Sequence, residues 1–377
     1  MAGIYIHIPF CRQACHYCDF HFSTSMKKRE EMVQAIAREI VLRKDELGHE
    51  TIETIYFGGG TPSVLTNEEI QLLIDTVYQS HTVIENPEIT LEANPDDLTP
   101  SRINELTNYR INRLSIGVQS FFEEDLQMMN RAHNATQAEA CLTEAVKHFD
   151  NITLDLIYGI PGMSNERWMQ NVEKALSFGI PHISSYALTV EPKTALHTLV
   201  KKGIIAAPSD EAAHEQFLLL ADRLQQEGFV HYELSNFGKP GYFSKNNTAY
   251  WLGKKYIGIG PSAHSYNGTH RSWNVANNAL YLKALAEDKL AMETEELTIT
   301  DRYNEYVMTG LRTIWGVDAK RIKDDFGTEY ADYLLKEATP FVAQGLLLFE
   351  NNTLTTTRAG KFLADGIASD LFFVNLD

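Results

Sequence analysis

The first half of the chain repeats one pattern six times: a short apolar run, a polar or glycine-rich break, then a stretch of helical period. The runs lie at residues 4–8, 52–57, 88–92, 113–118, 153–158 and 182–188. Between them, residues 27–47 carry Met32, Ile36 and Ile40 at helical spacing, and Thr66-Asn67-Glu68-Glu69 reads as a capping box opening another helix. Further helices are expected from Pro100, over 136–149 and over 166–178. A helix returning the chain between successive strands makes those strands parallel, through right-handed crossovers. An open sheet and a barrel both satisfy that count. The groups just after the strands are the polar or flexible ones: three cysteines, Gly58-Gly59-Gly60, Glu92, Gln119 and Gly159. In barrel-type folds the site lies at the C-terminal strand ends, so these groups are expected on one rim.

After about Glu191 the pattern changes. A helix over 210–226 precedes short strands at 230–234 and 256–259. From about Thr300 the chain reads as helices at 301–313, 319–326 and 329–343, a hairpin of 346–349 with 353–355, and a last helix at 358–370. Helices followed by a β-wing predict a small winged-helix-like domain. The net charge of −17 argues that neither this domain nor the rest binds nucleic acid, which needs a basic face.

The first eleven residues have no basic segment and no long apolar segment, so they do not read as a signal peptide. No stretch approaches the roughly 20 apolar residues of a membrane span. Three of the four cysteines fall within eight residues, which suits metal binding in a reducing compartment better than a disulfide framework. A cytoplasmic protein is expected.

Cys11-x3-Cys15-x2-Cys18 carries the chemistry. Thiolates are soft, anionic ligands suited to iron–sulfur clusters. Three of them hold three irons of a cubane and leave the fourth iron an exchangeable position. A structural zinc is the other reading, with His16 or His21 as the fourth ligand. The spacing, with a strand before it and a βα array after it, favours the cluster. Cys141, alone inside a helical stretch, reads as a buried thiol.

The cysteine motif resembles the signature of the radical S-adenosylmethionine (radical SAM) superfamily. Its flanks, Tyr5-Ile6-His7-Ile8-Pro9-Phe10-Cys11 and Cys15-His16-Tyr17-Cys18-Asp19-Phe20, resemble the branch that holds oxygen-independent coproporphyrinogen III oxidases and HemW-type haem chaperones. Phe57 to Pro62, Leu114 to Phe121, Asn130-Arg131, Asp155 to Gly162 and Gly258 to His264 continue the resemblance over most of the chain. It implies an α/β fold: a partial (β/α)6 TIM-like barrel with a smaller, mostly helical, winged-helix-like C-terminal domain. The expected divisions are a core at 1–195, a connecting region packed on it at 196–295, and the C-terminal domain at 296–377. A 4Fe–4S cluster on Cys11, Cys15 and Cys18 and S-adenosylmethionine as cofactor are implied. So are Gly59, Gly60 and Thr61 against the methionine end, Arg131 on the carboxylate, Tyr5 and Tyr17 against adenine, and Ala187 in the adenine pocket. Glu92, Gln119 and Asp155 are expected on ribose hydroxyls or the ammonium group. A reduced cluster would give one electron to the sulfonium, and the cofactor would then carry the hard chemistry.

Two residues after the third cluster cysteine, the oxidases of this branch typically carry a further cysteine; this chain has Phe20. The oxidases also carry a long segment before the cysteines, whereas Cys11 lies near the start here. Both features point to a haem chaperone that binds haem and passes it to recipient haemoproteins. The alternative is the oxidative decarboxylation of coproporphyrinogen III, a coproporphyrinogen dehydrogenase-like oxidoreductase fed by an electron donor. The chaperone branch usually shows His-Asn-x-x-Tyr-Trp, and here Asn246 stands in the histidine position. His264 is then a candidate haem ligand, and Tyr242, Phe243, Tyr250, Trp251 and Tyr256 either face a porphyrin or form core.

Overall fold

The computed structural model describes residues 1–374. Six strands form its centre: β1 (Ala2–Ile8), β2 (Ile52–Gly59), β3 (Val83–Ala93), β4 (Arg113–Gln119), β5 (Ile152–Tyr158) and β6 (His182–Ala187). They pair in parallel and in unbroken chain order. An order without reversal sends every crossover the same way, so the helices collect on one side and the sheet curls around the other. A doubly wound sheet would instead reverse its order at a switch point. Sequential order settles the choice left open by strand count in favour of a barrel-like sheet. Its strands are buried on both faces: every residue of β4 is buried, Arg113, Ser115 and Gln119 included, as parallel strands between helices and an inner filling require.

The barrel is partial, because β1 and β6 do not pair with each other. Beyond β6, the sheet continues antiparallel through β7 (Val230–Glu233) and β8 (Asn236–Gly238), with β8 against β6. Beyond β1 it continues with β9 (Tyr256–Ile259), which is parallel to it, then β10 (His264–Tyr266), β11 (His270–Asn274) and β12 (Met292–Glu296). The result is one twelve-stranded sheet. Strands β10 to β12 were not read from sequence; their polar, short segments carry little period-2 signal.

Thr66 does cap the second helix, Asn67–Ser80, in a reciprocal capping box with Glu69. The first helix, Arg29–Leu42, ends five residues short of the expected 47. Arg43 turns inward instead, donating to Glu39 and to the carbonyl of Gly258. The expected 358–370 helix is broken into Arg358–Lys361 and Ala364–Asp370. Gly360 presses against the backbone of Leu346, where a Cβ would lie 2.0 Å from its carbonyl oxygen.

A second hydrophobic core, separate from that of the barrel, gathers Tyr303, Val307, Leu311, Ile322, Leu334, Leu354 and Leu371. Helices Ile299–Leu311, Ala319–Phe326 and Thr328–Ala343 surround it. A small antiparallel sheet closes it, with β13 (Val317–Asp318), β14 (Leu347–Glu350) and β15 (Thr353–Thr356) in the order β13-β15-β14. This is the winged-helix-like part. Among the described residues, no helix is long and apolar enough to cross a membrane.

Candidate cofactor site at the barrel rim

The cysteine loop leaves β1 and is tied down by backbone hydrogen bonds. Cys11 N–H donates to Ser23 O at 3.1 Å, and Ser23 N–H to Pro9 O at 3.0 Å. From β2, Gly60 N–H donates to Ile8 O and Thr61 N–H to Phe10 O, at 3.0 and 2.7 Å. Gly60 must be glycine here: a Cβ would lie 2.6 Å from Ile8 O and 2.7 Å from Phe10 O. The glycine turn and the cysteine loop thus fit each other backbone to backbone.

A cavity of about 660 Å³ opens beside this junction, within the size range of ligand pockets. Its wall brings together Cys11, Cys15, Cys18, Tyr17, Gly59, Gly60 and Thr61 with Glu92, Gln119, Arg131, Asp155 and Ala187. Residues from β1 to β6 therefore converge on one rim, as their positions after the strands required. Tyr5 is the exception. Strand alternation points it with His7 to a neighbouring cavity, where it stacks on Tyr56 with ring centroids 6.0 Å apart. It still reaches the barrel interior, since a Cβ on Gly58 would meet Tyr5, Tyr56 and Glu92 within 3.1 Å.

Arg131 joins the loop to the barrel. Its Nη1 donates to the Cys15 sulfur at 3.2 Å, and its Nη2 to Gly117 O and Asn94 Oδ1, each at 2.8 Å. Its buried Nε–H has no partner among the described residues. Tyr56 Oη–H donates to Glu92 at 2.8 Å. Burial pushes the Glu92 carboxyl up to about 7, against the Tyr56 hydrogen bond and helped by repulsion from Asp155. Burial also lifts Asp155 to about 6. Gln119 holds a left-handed backbone, φ 70°, at the end of β4, a strained conformation of the kind that collects at ligand sites. Buried acids that resist ionisation and an unpartnered guanidinium nitrogen are what a site looks like when it is built for a ligand carrying both cationic and carboxylate groups.

The donor set also fits a multi-iron cluster. Cys11, Cys15 and Cys18 are free thiols on one cavity wall, and thiolates are the soft ligands iron–sulfur clusters take. A cubane spreads its ligands over separate irons. Of the two histidines beside the cysteines, His16 Nδ1 bonds Met128 O at 2.9 Å and His21 Nε2 bonds Asn278 Oδ1 at 2.8 Å. Cys141 is buried in the helix Ala135–Ala145.

Sequence reasoning missed that the C-terminal part reaches this cavity. Arg312, Lys361, Phe362 and Asp365 line its outer side. Lys361 Nζ donates to His231 O at 2.8 Å, and burial lowers its pKa to about 8. No local signal marks such residues, because their contacts are long-range: Arg312 pairs with Asp365, and Lys361 reaches back to His231.

A second cavity of about 1300 Å³ lies on the other side of the cysteine loop, between β9–β12 and the C-terminal helices. Asp19 and Phe20 line both cavities. Tyr250, Trp251, Tyr256 and His264 line the second. Phe243 does not; it stacks on Tyr232 at 4.3 Å. Asn246 lies on neither wall: it is buried, and its Oδ1 accepts from Thr54 Oγ1 at 3.1 Å.

An open parallel six-strand barrel with three cysteines on its rim defines a radical SAM protein, and the radical SAM superfamily matches residues 5–175, with the HemN C-terminal domain at 297–363. Proteins of this superfamily take a 4Fe–4S cluster and S-adenosylmethionine. The chain is 33% identical to the haem chaperone HemW of Bacillus subtilis, over 97% of this chain and 98% of that one. It is 34% identical to HemW of Mycobacterium tuberculosis, over 98% and 94%. The chain belongs to this HemW family. The coproporphyrinogen III oxidase HemN of Escherichia coli shares the fold, with a TM-score of 0.85 over 98% of this chain and 90% of that one, at 23% identity.

Proposed function

We propose that this chain is a haem chaperone that keeps a 4Fe–4S cluster on Cys11, Cys15 and Cys18, binds S-adenosylmethionine beside it, and delivers haem to recipient haemoproteins. The observation that carries this reading is the full-length similarity to HemW proteins named as haem chaperones. Phe20, at the position where the oxidases carry a cysteine, agrees with it.

In the cofactor cavity, Gly59, Gly60 and Thr61 offer bare backbone to the methionine end. The free Nε–H of Arg131 is directed to the carboxylate, while its Nη1 holds the cysteine loop and its Nη2 the barrel. Glu92 and Asp155 face the ammonium or ribose groups, and neutral carboxyls become charged once a cation meets them. Gln119 supplies an amide, and Tyr17 and Ala187 form the adenine wall. Tyr5 acts from behind, through Gly58 and Tyr56. When bound, the cluster supplies one electron to the sulfonium of the cofactor. The residues of this chain bind, orient and exclude water around it. A reducing, cytoplasmic setting belongs to the reading, supported by the free thiols; so does an electron donor.

The test is one anaerobic preparation carrying the cluster. Titration with haem is expected to give a stoichiometric Soret shift, and incubation with S-adenosylmethionine, reductant and coproporphyrinogen III to give no protoporphyrinogen. Absence of haem binding overturns the proposal. Formation of protoporphyrinogen with 5′-deoxyadenosine establishes the oxidase instead.

A further inference from the structure

Three histidines line the larger cavity: His7, His21 and His264. His7 Nε2 is bonded to His21 O at 2.9 Å, and His21 Nε2 to Asn278. The His264 imidazole alone has no hydrogen-bond partner among the described residues. It is exposed to the cavity, with the Trp273 ring 6.2 Å away and inclined by 31°. Partial burial and the charge of Arg271 hold its pKa below the ordinary value, so it is neutral at pH 7 with a nitrogen lone pair free.

The backbone is shaped to present this side chain. Gly258 has no room for a Cβ, which would lie 2.0 Å from His264 O. Ser262, two residues before His264 and also on the cavity wall, holds φ at 65°. A serine in the left-handed region costs energy and persists only where surrounding structure enforces it.

The cations of the cavity differ in the same way. Arg271 is paired with Glu305, and Arg321 with Asp325 at 3.1 Å. Arg302 has no acidic partner among the described residues, and its buried Nε–H is unsatisfied. Tyr250 and Tyr256 meet edge to face at 4.5 Å beside Trp251, giving an aromatic wall. A free imidazole, a free guanidinium and an aromatic wall in about 1300 Å³ match a flat, apolar macrocycle with an iron centre and carboxylate tails.

We infer that this cavity is the haem seat, with His264 as an axial ligand to iron and Arg302 receiving a propionate. The inference rests on the haem-chaperone reading. Phe20, 66% exposed, then stands between the seat and the cofactor cavity, two residues from a cluster cysteine. The position that separates the two branches is the partition between the two sites.

The test titrates ferric haem into the full-length protein with its cluster and into His264→Ala and Arg302→Gln. Cluster iron content equal to the parent's shows that each variant is folded. The Ala variant is expected to lose the imidazole-ligated Soret spectrum and to regain it on adding free imidazole. The Gln variant is expected to bind haem about tenfold more weakly, the size of one charge-assisted hydrogen bond, and haem dimethyl ester as the parent does. If the parent binds no haem, the chaperone reading fails and the seat with it. If the parent binds and either variant gives parental spectra and affinities, the seat is wrong while the chaperone reading stands. Should His264→Ala lose its cluster, Arg302→Gln with the two haem forms decides alone.

Discussion

Arg131 Nη1 lies 3.2 Å from the Cys15 sulfur, while its Nη2 grips the end of β4 at Gly117 O. One side chain therefore fixes the middle cysteine to the barrel. Arg131→Gln is expected to weaken both cluster retention and S-adenosylmethionine binding, the latter by about tenfold to a hundredfold, as loss of a charged hydrogen bond implies. Iron content and equilibrium dialysis check it; unchanged values in both would show that the contact is incidental.

The cysteines separate by place. Cys15→Ala is expected to abolish the cluster's broad absorbance and cofactor binding together, because one of three ligands is gone. Cys141→Ala should keep full iron and lose about 1 kcal/mol of stability through a small cavity. Full iron in the Cys15 variant would contradict the ligand set.

Glu92 makes stability depend on pH. Its folded pKa of about 7 stands above the ordinary 4.5, so the folded state holds the proton more tightly across that window. Stability then falls as pH rises from about 4.5 to about 7 and is level above. Glu92→Gln removes the slope, gaining about 3 kcal/mol over the parent at pH 8 and little at pH 4.5. Denaturant melts across pH check this, and parallel profiles for the two proteins would sink it.

Asn246 offers nothing to haem from its buried place behind β2. Asn246→His puts the branch's usual residue there without creating a ligand. The haem spectrum is expected to stay parental, while overpacking costs about 1–3 kcal/mol. A new axial ligand in the spectrum would show that the helix Lys245–Trp251 turns toward the cavity.

Glu39 is wholly buried and accepts from Arg43, Asn274, Tyr281 and the N–H of Gly260. This cluster anchors the turn between β9 and β10 that precedes His264. Glu39→Ala leaves the Arg43 charge with less compensation and is expected to cost about 3–5 kcal/mol. Urea unfolding measures it, and a loss below 1 kcal/mol would mean that Glu46 alone suffices for Arg43.

The six apolar runs, their helices and the groups that follow each strand were legible in the chain, because period and turn chemistry are local. The cysteine spacing was legible for the same reason: three thiols within eight residues need only one loop. Strand order was not local. Whether β1 to β6 curl or reverse depends on which strand each crossover selects, and the repeat is the same in both cases. Tyr5 reads like Tyr17 in sequence, yet the pleat of β1 turns it to the neighbouring cavity. Asn246 looked like a missing ligand until its contact with Thr54 placed it in the core. Arg302 and Lys361 carry no motif at all. Their surroundings come from segments far apart along the chain, and only folding brings those segments together.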